Sequence, residues 1–234
     1  MHAIILAAGV GRRLAPMGWD KPKCLLEFGG RTLLTRTLDA LTAHGIHDVA
    51  IVVGYRQLLI RGSVGDHARI TWIDNPDFAT TNTVHSLWLA RAFLNDDVVL
   101  CNADVLFDAG ILGDLMAVDG AALAIHEKPC GEEEVKVSVD VDDRIMRIGK
   151  SLPPDGCLGE FIGVGALDRP AAMALAVALR RYNEGRTERD LFYEAALDDM
   201  AADCVLRAVR LSGHRAVEID TPEDVTTARR LFSA

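Results

Sequence analysis

The first 26 residues constrain the fold more than any other stretch of the chain. A short apolar run, His2–Ala8, has the character of a buried parallel strand, and Gly9 and Gly11 follow it before any helical periodicity begins. Glycine can adopt positive φ and lets backbone N–H groups approach an anion closely. Four basic residues follow in the same stretch: Arg12, Arg13, Lys21 and Lys23. The pattern indicates a strand followed by a loop that suits a polyphosphate.

This Gly-x-Gly is neither of the two common phosphate-binding fingerprints. The third glycine of the dinucleotide-binding motif is absent, since Ala15 follows Leu14 where it would fall, and there is no Gly-Lys-Ser/Thr of a P-loop. A Gly-x-Gly after a strand also occurs in α/β proteins simply as a tight connection. These residues alone therefore leave a phosphate site and a structural turn both open.

Strand and helix patterns alternate through the first part of the chain. Continuous apolar runs at Asp48–Gly54 and Val98–Cys101 are typical of strands covered on both faces, and Thr32–His44 has a helical spacing. This order predicts a Rossmann-like α/β fold with a mixed, mostly parallel sheet and helices on both faces. Over residues 132–150 valines alternate with polar residues, which predicts a small antiparallel hairpin on the substrate side. Without an internal repeat or linker, one domain over residues 1–234 is expected.

Composition narrows the classes of partner and compartment. The formal net charge is -9 and no basic stripe occurs, which argues against a nucleic-acid partner. No run approaches the roughly 18 apolar residues of a membrane-spanning helix, and the N-terminal apolar run is too short for a secretory signal. The five cysteines show no CxxC spacing, so neither a zinc site nor a disulfide framework is indicated. A cytoplasmic protein without membrane contact is the expectation.

Two acidic residues stand directly after predicted strands. Asp104 closes a polar cluster after Val98–Cys101, and Asp220 follows the short strand Ala216–Ile219. Ligands in open α/β sheets bind at the carboxyl ends of strands, and Mg²⁺ takes carboxylate oxygens while sharing the substrate's phosphates. The same two acids would also suit a turn and a helix start, so the residues alone leave both interpretations open.

Two strings near the N-terminus, LAAGVGRRLAP and KPKCLLEFGGRTLL, resemble the signature of the sugar-phosphate nucleotidyltransferases nearly end to end. The strand that ends at Asp104 and the C-terminal string EIDTPEDV are similar to further elements of that family. The resemblance implies a glycosyltransferase-A-like fold and a reaction in which a phosphate oxygen of the acceptor displaces pyrophosphate from a nucleoside triphosphate. It also implies that Asp104 and Asp220 bind Mg²⁺.

The resemblance assigns roles to the N-terminal stretch as well. Arg13 would hold the β- and γ-phosphates, and Lys23 would steady the α-phosphate and the incoming nucleophile. Arg12 stands where Ser or Thr is commoner, so the individual phosphate contacts stay open. Five residues would line the base and the phosphates: Leu6, Ala7, Ala8, Gly9 and Gly11.

Two other segments resemble a subgroup, the short cytidylyltransferases that act on phosphocholine, aminoethylphosphonate, inositol-1-phosphate or phosphoglutamine. They are NPDFATTNTVHSLWLARAFL and the hairpin VKVSVDVDDRIMRIGK with the following GEFIGV. This resemblance favours CTP, places Asn82 near the cytosine, and implies transfer of CMP to a small phosphorylated or phosphonate acceptor. The alternatives are a hexose-1-phosphate nucleotidyltransferase that uses UTP, GTP or dTTP, and a non-catalytic nucleotide-binding regulatory domain. Monomer and homodimer are both open.

Further polar residues are candidates for acceptor binding. Lys136 lies opposite the valines of its strand, so its ammonium is predicted either to reach a substrate phosphate or to point to water. Glu160 lies among apolar residues and glycines, where an acid can recognise a hydroxyl or ammonium of the substrate or protect a strand edge. Tyr193 and Glu194 are weaker candidates, because an exposed acid on a helix needs no function.

Overall fold

The computed structural model describes residues 1–65, 69–185 and 188–232. The strands, in chain order, are β1 (His2–Ala7), β2 (Glu27–Phe28), β3 (Arg31–Thr32), β4 (Asp48–Val53), β5 (Arg69–Asp74), β6 (Val98–Asn102), β7 (Val105–Phe107), β8 (Ala121–His126), β9 (Lys136–Val139), β10 (Ile145–Gly149), β11 (Gly159–Leu167), β12 (Leu206–Arg210) and β13 (Ala216–Glu218). The α-helices are α1 (Leu33–Ala43), α2 (Gln57–Ser63), α3 (Thr83–Leu89), α4 (Gly110–Met116), α5 (Arg169–Arg180), α6 (Glu194–Ala201) and α7 (Pro222–Phe232).

A nine-stranded mixed sheet forms the centre of the molecule. Its main path runs β12, β8, β11, β6, β1, β4, β5, and only β11 is antiparallel to its neighbours on this path. The antiparallel pair of β9 and β10 joins the start of β11. The prediction of a mixed, mostly parallel sheet with a small antiparallel hairpin is therefore confirmed.

Helices cover both faces of this sheet, which explains the continuous apolar runs in its strands. The adjacent residues Ile4 and Ile5 of β1 are both fully buried and point to opposite faces. Ile4 lies in the apolar layer that includes residues of α3, α5 and α6. Ile5 lies in the layer that includes residues of α1, α2 and α4. Both faces of the central strand are thus closed to solvent.

The end of the chain returns to the carboxyl end of β6. The strands β7 and β13 form a separate antiparallel pair in which Glu218 lies opposite Val105. The backbone N–H of Ile219 donates a hydrogen bond of 2.9 Å to the carbonyl of Asp104. A third apolar cluster packs Phe232 of α7 with Leu14 of the N-terminal loop. Residues from the two ends of the chain and from its middle therefore meet at one place.

All five cysteines lie in the described part of the chain, and each is free. Two of them, Cys24 and Cys101, are buried. Burial raises the pKa of each of these two thiols to about 12. Over the described ranges, no helix has both the length and the apolar character that crossing a bilayer requires.

Candidate active site

A cleft of about 580 Å³ opens at the carboxyl ends of the central strands, and a second cavity of about 230 Å³ adjoins it beside the N-terminal loop. The two share Lys23 and Asp104 in their walls. The structure places all but one of the predicted site residues on these walls: Leu6, Ala7, Ala8, Gly9, Gly11, Arg13, Lys23, Asn82, Asp104, Glu160 and Asp220. The exception is Lys136.

The two glycines of the N-terminal loop do different things. Gly11 has φ of +67°, and a Cβ built on it would lie 2.7 Å from Cγ of Lys23. Both the backbone conformation and the close approach of Lys23 therefore require glycine at this position. Gly9, by contrast, does not have positive φ. A Cβ on Gly9 would meet nothing within 4 Å, which leaves space beside the loop for a bound group.

The basic residues of the loop contact the two predicted acids directly. The Lys23 ammonium lies 3.2 Å from Oδ2 of Asp104 and also pairs with Oδ1 of Asp220. The Arg13 guanidinium lies 2.7 Å from Oδ2 of Asp220 and 3.6 Å from Glu133. Burial lowers the pKa of Lys23, but the charges of Asp104 and Asp220 outweigh it, so the pKa lies above its ordinary value.

A capping box fixes the backbone next to Asp220. Oγ1 of Thr221 accepts a hydrogen bond from the N–H of Asp224, and the Asp224 carboxylate accepts one from the N–H of Thr221. The same carboxylate accepts a 3.0 Å hydrogen bond from the N–H of Asp220. The Thr-Pro start of α7 therefore holds Asp220 in the wall of the cleft.

Glu218 is a third acid at this place, and the sequence reasoning missed it. Its carboxylate and those of Asp104 and Asp220 each offer an oxygen within 4.8 Å of the others. Burial raises the pKa of Glu218 well above its usual range, and the charges of Asp104 and Asp220 raise it further. The signal was present in the string EIDTPEDV, because alternate residues of an extended segment share a face.

This donor set fits a hard divalent cation. Magnesium binds carboxylate oxygens and keeps sites for water and phosphate oxygens, and three carboxylates that repel one another lose that repulsion when a cation lies between them. In the structure the Lys23 ammonium pairs with Asp104 and Asp220 and so offsets part of the repulsion between the carboxylates. The residues that could hold a metal ion are thus Asp104, Glu218 and Asp220.

Asn82 and Glu160 both line the wide cleft. Asn82 caps α3, since its Oδ1 accepts a 2.9 Å hydrogen bond from the N–H of Thr83. Glu160 lies 2.9 Å from the ammonium of Lys128, which also pairs with Glu134 at 3.3 Å. Glu160 is therefore part of a polar cluster in the cleft wall, with Lys128 as its partner.

Lys136 is neither in the cleft nor in water, so both predicted alternatives are wrong. The residue is only 1% exposed. Its ammonium donates hydrogen bonds to the backbone carbonyls of Gly131, Glu132 and Glu134 at 2.9 to 3.3 Å. The loop that precedes β9 folds over this side chain and takes up its donors, which gives Lys136 a structural role.

The expectation that Glu194 is an exposed helical acid is also wrong. Glu194 is 5% exposed and Tyr193 is 1% exposed. Glu194 lines the wide cleft. Its Oε2 and the hydroxyl of Tyr193 are buried without a hydrogen-bond partner among the residues that the structure describes.

Comparison with known proteins gives a family match and relatives that align with most of this chain. Residues 3–149 match the family model described as MobA-like NTP transferase domain. The CMP-5'-(3-aminopropyl)phosphonate synthase of Streptomyces rubellomurinus is 32% identical over 256 residues, which cover 100% of this chain and 39% of that protein. The CTP:phosphoglutamine cytidylyltransferase of Campylobacter jejuni is 25% identical over 240 residues, with 94% of this chain and 93% of that protein covered.

Two solved structures share the fold. The CTP:phosphocholine cytidylyltransferase of Streptococcus pneumoniae aligns with a TM-score of 0.83 and 22% identity over 98% of each chain. The inositol-1-phosphate CTP transferase of T. maritima aligns with a TM-score of 0.81 and 22% identity, covering 99% of this chain and 94% of that one. At these identities the likeness establishes the architecture.

Proposed function

Because the chain belongs to the MobA-like NTP transferase family and is a nucleotidyltransferase, we propose that it transfers CMP from CTP to a small acceptor that carries a phosphate or phosphonate. The observation that carries this proposal is the cleft geometry. Arg13 and Lys23 stand on one side of it, and the carboxylates of Asp104, Glu218 and Asp220 stand beside them.

The reaction is an in-line displacement at the α-phosphorus of CTP. An oxygen of the acceptor's phosphate or phosphonate forms a bond to that phosphorus, the bond from phosphorus to the bridging oxygen of the β-phosphate breaks, and pyrophosphate leaves with the electron pair. Arg13 would hold the β- and γ-phosphates. Lys23 would steady the α-phosphate and the attacking oxygen. Negative charge accumulates around these atoms in the transition state, so a positive charge beside them stabilises that state most.

The three carboxylates would hold a divalent cation, for which we propose Mg²⁺. Bound there, the ion would neutralise charge on the phosphate oxygens. Asp104 and Asp220 are proposed as ligands because they lie beside the N-terminal loop. Glu218 is proposed as a third ligand because its carboxylate oxygen lies within 4.8 Å of theirs.

The nucleotide would lie along the strand end and loop. Leu6, Ala7, Ala8, Gly9 and Gly11 would line the base and phosphates. Asn82 would lie near the cytosine, and Glu160 would belong to the acceptor part of the cleft.

The choice of CTP and of a small acceptor is supported by the relatives. Two relatives that match most of the chain are named for CMP transfer to an aminopropylphosphonate and for CTP-dependent transfer to phosphoglutamine. A further relative, 34% identical over 50% of this chain, is named a UTP-dependent glucose-1-phosphate uridylyltransferase, from Haloferax volcanii. The acceptor test must therefore include hexose phosphates and the other nucleotides.

The test is pyrophosphate release from each nucleoside triphosphate with Mg²⁺, with and without a panel of acceptors. The panel contains small phosphates and phosphonates, inositol-1-phosphate and hexose-1-phosphates. Acceptor-dependent release from CTP with a small acceptor supports the proposal. Release from UTP, GTP or dTTP with a hexose-1-phosphate would replace it by the second candidate, and silence with every pair would favour a nucleotide-binding regulatory domain.

A further inference from the structure

The side-chain amide of Asn102 lies in the cleft wall without a hydrogen bond to the residues that the structure describes. Asn102 ends β6, lines the wide cleft and is half-buried. Its Oδ1 is buried and has no hydrogen-bond partner among those residues. A buried carbonyl oxygen that gives up water without gaining a donor costs free energy, so such groups are rare in folded proteins. A polar side chain kept at this cost in the wall of a ligand cleft favours a role in the bound state.

Two other asparagines that line the same cleft are bonded to the protein. Asn75 is 2% exposed, and its Oδ1 accepts a 2.9 Å hydrogen bond from a backbone N–H. Its Nδ2 donates to the hydroxyls of Thr81 and Ser86 at 3.3 and 3.1 Å. Asn82 caps α3 through its own Oδ1. These two asparagines hold the backbone and side chains around them, whereas the amide of Asn102 supports no neighbour in the described part of the chain.

The neighbouring strand makes room for the Asn102 amide. The pairing of β11 with β8 is interrupted between Phe161 and Gly165, and Gly163 inside this interruption has φ of +76°. A Cβ built on Gly163 would lie 2.4 Å from Nδ2 of Asn102. Irregularities of this kind in a strand are common next to active sites, where they change the direction of a side chain or end the pairing. Glycine at position 163 therefore allows the amide to lie against β11 in the cleft wall.

Asn102 lies between the parts of the cleft that would hold the two substrates. On one side it is in register with Leu6 of β1, the strand that leads into the N-terminal loop. On the other side lies β11, which carries Glu160 into the cleft wall. Asp104 follows two positions after Asn102. In an in-line displacement the attacking oxygen must lie against the α-phosphorus, where the two substrates meet. The position of Asn102 therefore suits contact with the reacting group of the acceptor.

We propose that the amide of Asn102 binds the phosphate or phosphonate group of the acceptor, by donating a hydrogen bond from Nδ2 to an oxygen that does not attack. This rests on the proposed transfer to a phosphorylated acceptor and assigns a residue to the recognition of its reacting group. Nδ2 is the amide atom that a ligand can reach, because Oδ1 is buried. A hydrogen bond to an oxyanion is charge-assisted and about twice as strong as one between neutral groups.

An uncharged donor suits this position. The carboxylates of Asp104, Glu218 and Asp220 each offer an oxygen within 4.8 Å of the others. The ammonium of Lys23 already pairs with two of these acids. A second cation beside them would form further ion pairs, whereas an amide carries no charge. The amide of Asn102 can therefore orient the oxyanion of the acceptor and leave the carboxylates to the divalent cation.

The experiment replaces Asn102 by leucine, which has nearly the same shape and no donor. In Asn102→Leu the KM for the acceptor that reacts in the pyrophosphate-release panel should rise about 10- to 100-fold, and the KM for CTP should stay within about a factor of two. The denaturant midpoint should not fall, because the amide has no bond to the described residues to lose. Asn75→Leu should lower that midpoint, since three hydrogen bonds are lost. The exposed Asn95→Leu is the control that should change none of these quantities.

Binding of methylphosphonate, measured by phosphorus NMR titration with Mg²⁺ and no nucleotide, separates this inference from the proposed function. A Kd at least about 10-fold higher in Asn102→Leu than in the wild type supports the inference even if no nucleotide is turned over, in which case the proposed function fails alone. Turnover with an unchanged KM for the acceptor overturns the inference and leaves the function standing. A rise confined to the KM for CTP overturns it too, because the amide would then contact the nucleotide.

Three further results would also overturn the inference. Equal affinity of both proteins for methylphosphonate would show that the amide does not bind this group. A wild-type protein that neither binds methylphosphonate nor turns over any acceptor would remove the inference together with the proposed function. A lowered denaturant midpoint in Asn102→Leu, or its failure to fold, would show that Asn102 has a structural role.

Discussion

Asp220 and Glu194 place the same chemical group in the same cleft under opposite conditions. Asp220 has Arg13 at 2.7 Å and Lys23 as partners, and its backbone is fixed by a capping box. Glu194 is more deeply buried and has an Oε2 without any partner among the described residues. The side of the cleft that would hold the nucleotide under the proposed function thus carries its own counter-charges, whereas Oε2 of Glu194, on the side that would hold the acceptor, has no hydrogen-bond partner among the described residues.

Ligands would therefore bind under different conditions on the two sides of the cleft. On the nucleotide side an incoming cation or phosphate has to compete with ion pairs that already exist. At Glu194 no ion pair within 4.0 Å is present among the described residues, although the charge of Lys150 and the residue's own backbone N–H act on its carboxyl. Substitutions on the nucleotide side should therefore disturb chemistry and metal affinity, and those on the acceptor side should change selectivity or stability.

The largest effect is expected for Asp104→Asn and Asp220→Asn. Each removes a carboxylate that would hold the cation beside the phosphates, so turnover should fall by at least about 100-fold, since several kcal/mol of charge stabilisation are lost. The melting temperature should change little. Pyrophosphate release and a thermal melt measure the two quantities, with the exposed Asp155→Asn as control. Near-full activity in both variants would show that these aspartates do not hold the metal ion.

Lys23→Met tests whether the loop lysine competes with the cation. The substitution leaves Asp104 and Asp220 without the ammonium that they share, so the metal-free protein should lose about 3 kcal/mol of unfolding free energy. Added Mg²⁺ should then raise the melting temperature more than in the wild type, because no ammonium has to be displaced. Lys21→Met, on the same loop, should leave the Mg²⁺ effect unchanged. An equal effect in Lys23→Met and wild type would show that the lysine and the cation do not compete.

Lys136→Met tests whether Lys136 has a structural role or binds the acceptor. Three backbone carbonyls would lose their shared donor, and an unsatisfied buried polar group costs about 1 to 3 kcal/mol. We expect that loss in denaturant unfolding, together with unchanged KM values for both substrates. A raised KM for the acceptor without a loss of stability would instead indicate that Lys136 binds the acceptor.

The smallest effects are expected from the paired variants Gly11→Ala and Gly9→Ala. Gly11 has φ of +67°, so alanine there should cost about 1 to 2 kcal/mol and displace Lys23. Gly9 has open space around it, so alanine should leave unfolding unchanged and raise the KM for CTP, because the added methyl occupies room meant for the ligand. Equal destabilisation by both would show that Gly9 is structural.

Residues on the nucleotide side were predictable because they belong to local patterns. The strand before Gly9 and the Gly-x-Gly turn with its basic residues occupy consecutive or nearby positions, whereas the contact of Gly11 with Lys23 was not predicted. Continuous apolar runs gave the parallel strands, since a sheet with helices on both faces needs apolar residues on both.

The acceptor side depends on packing that a single sequence does not express. Whether Glu194 is buried is decided by what packs against the start of α6. Whether Lys136 reaches the cleft is decided by the carbonyls of the loop at 131–134. The strand β13 was predicted, but its partner β7 has only three residues and shows no recognisable period. The pairing of the two strands, which brings Glu218 beside Asp104, was therefore not predictable.

The pairing of β7 with β13 also bears on the order in which the protein can acquire its chemistry during synthesis. The last strand of the central sheet ends at Arg210, and Glu218 and Asp220 follow it in the sequence. The contact of Lys23 with Asp220 spans 197 positions, which makes it a late event for a chain that folds as it emerges. The central sheet can therefore form before the segment after Arg210 has docked against it, so that catalytic competence would come with the docking of that segment.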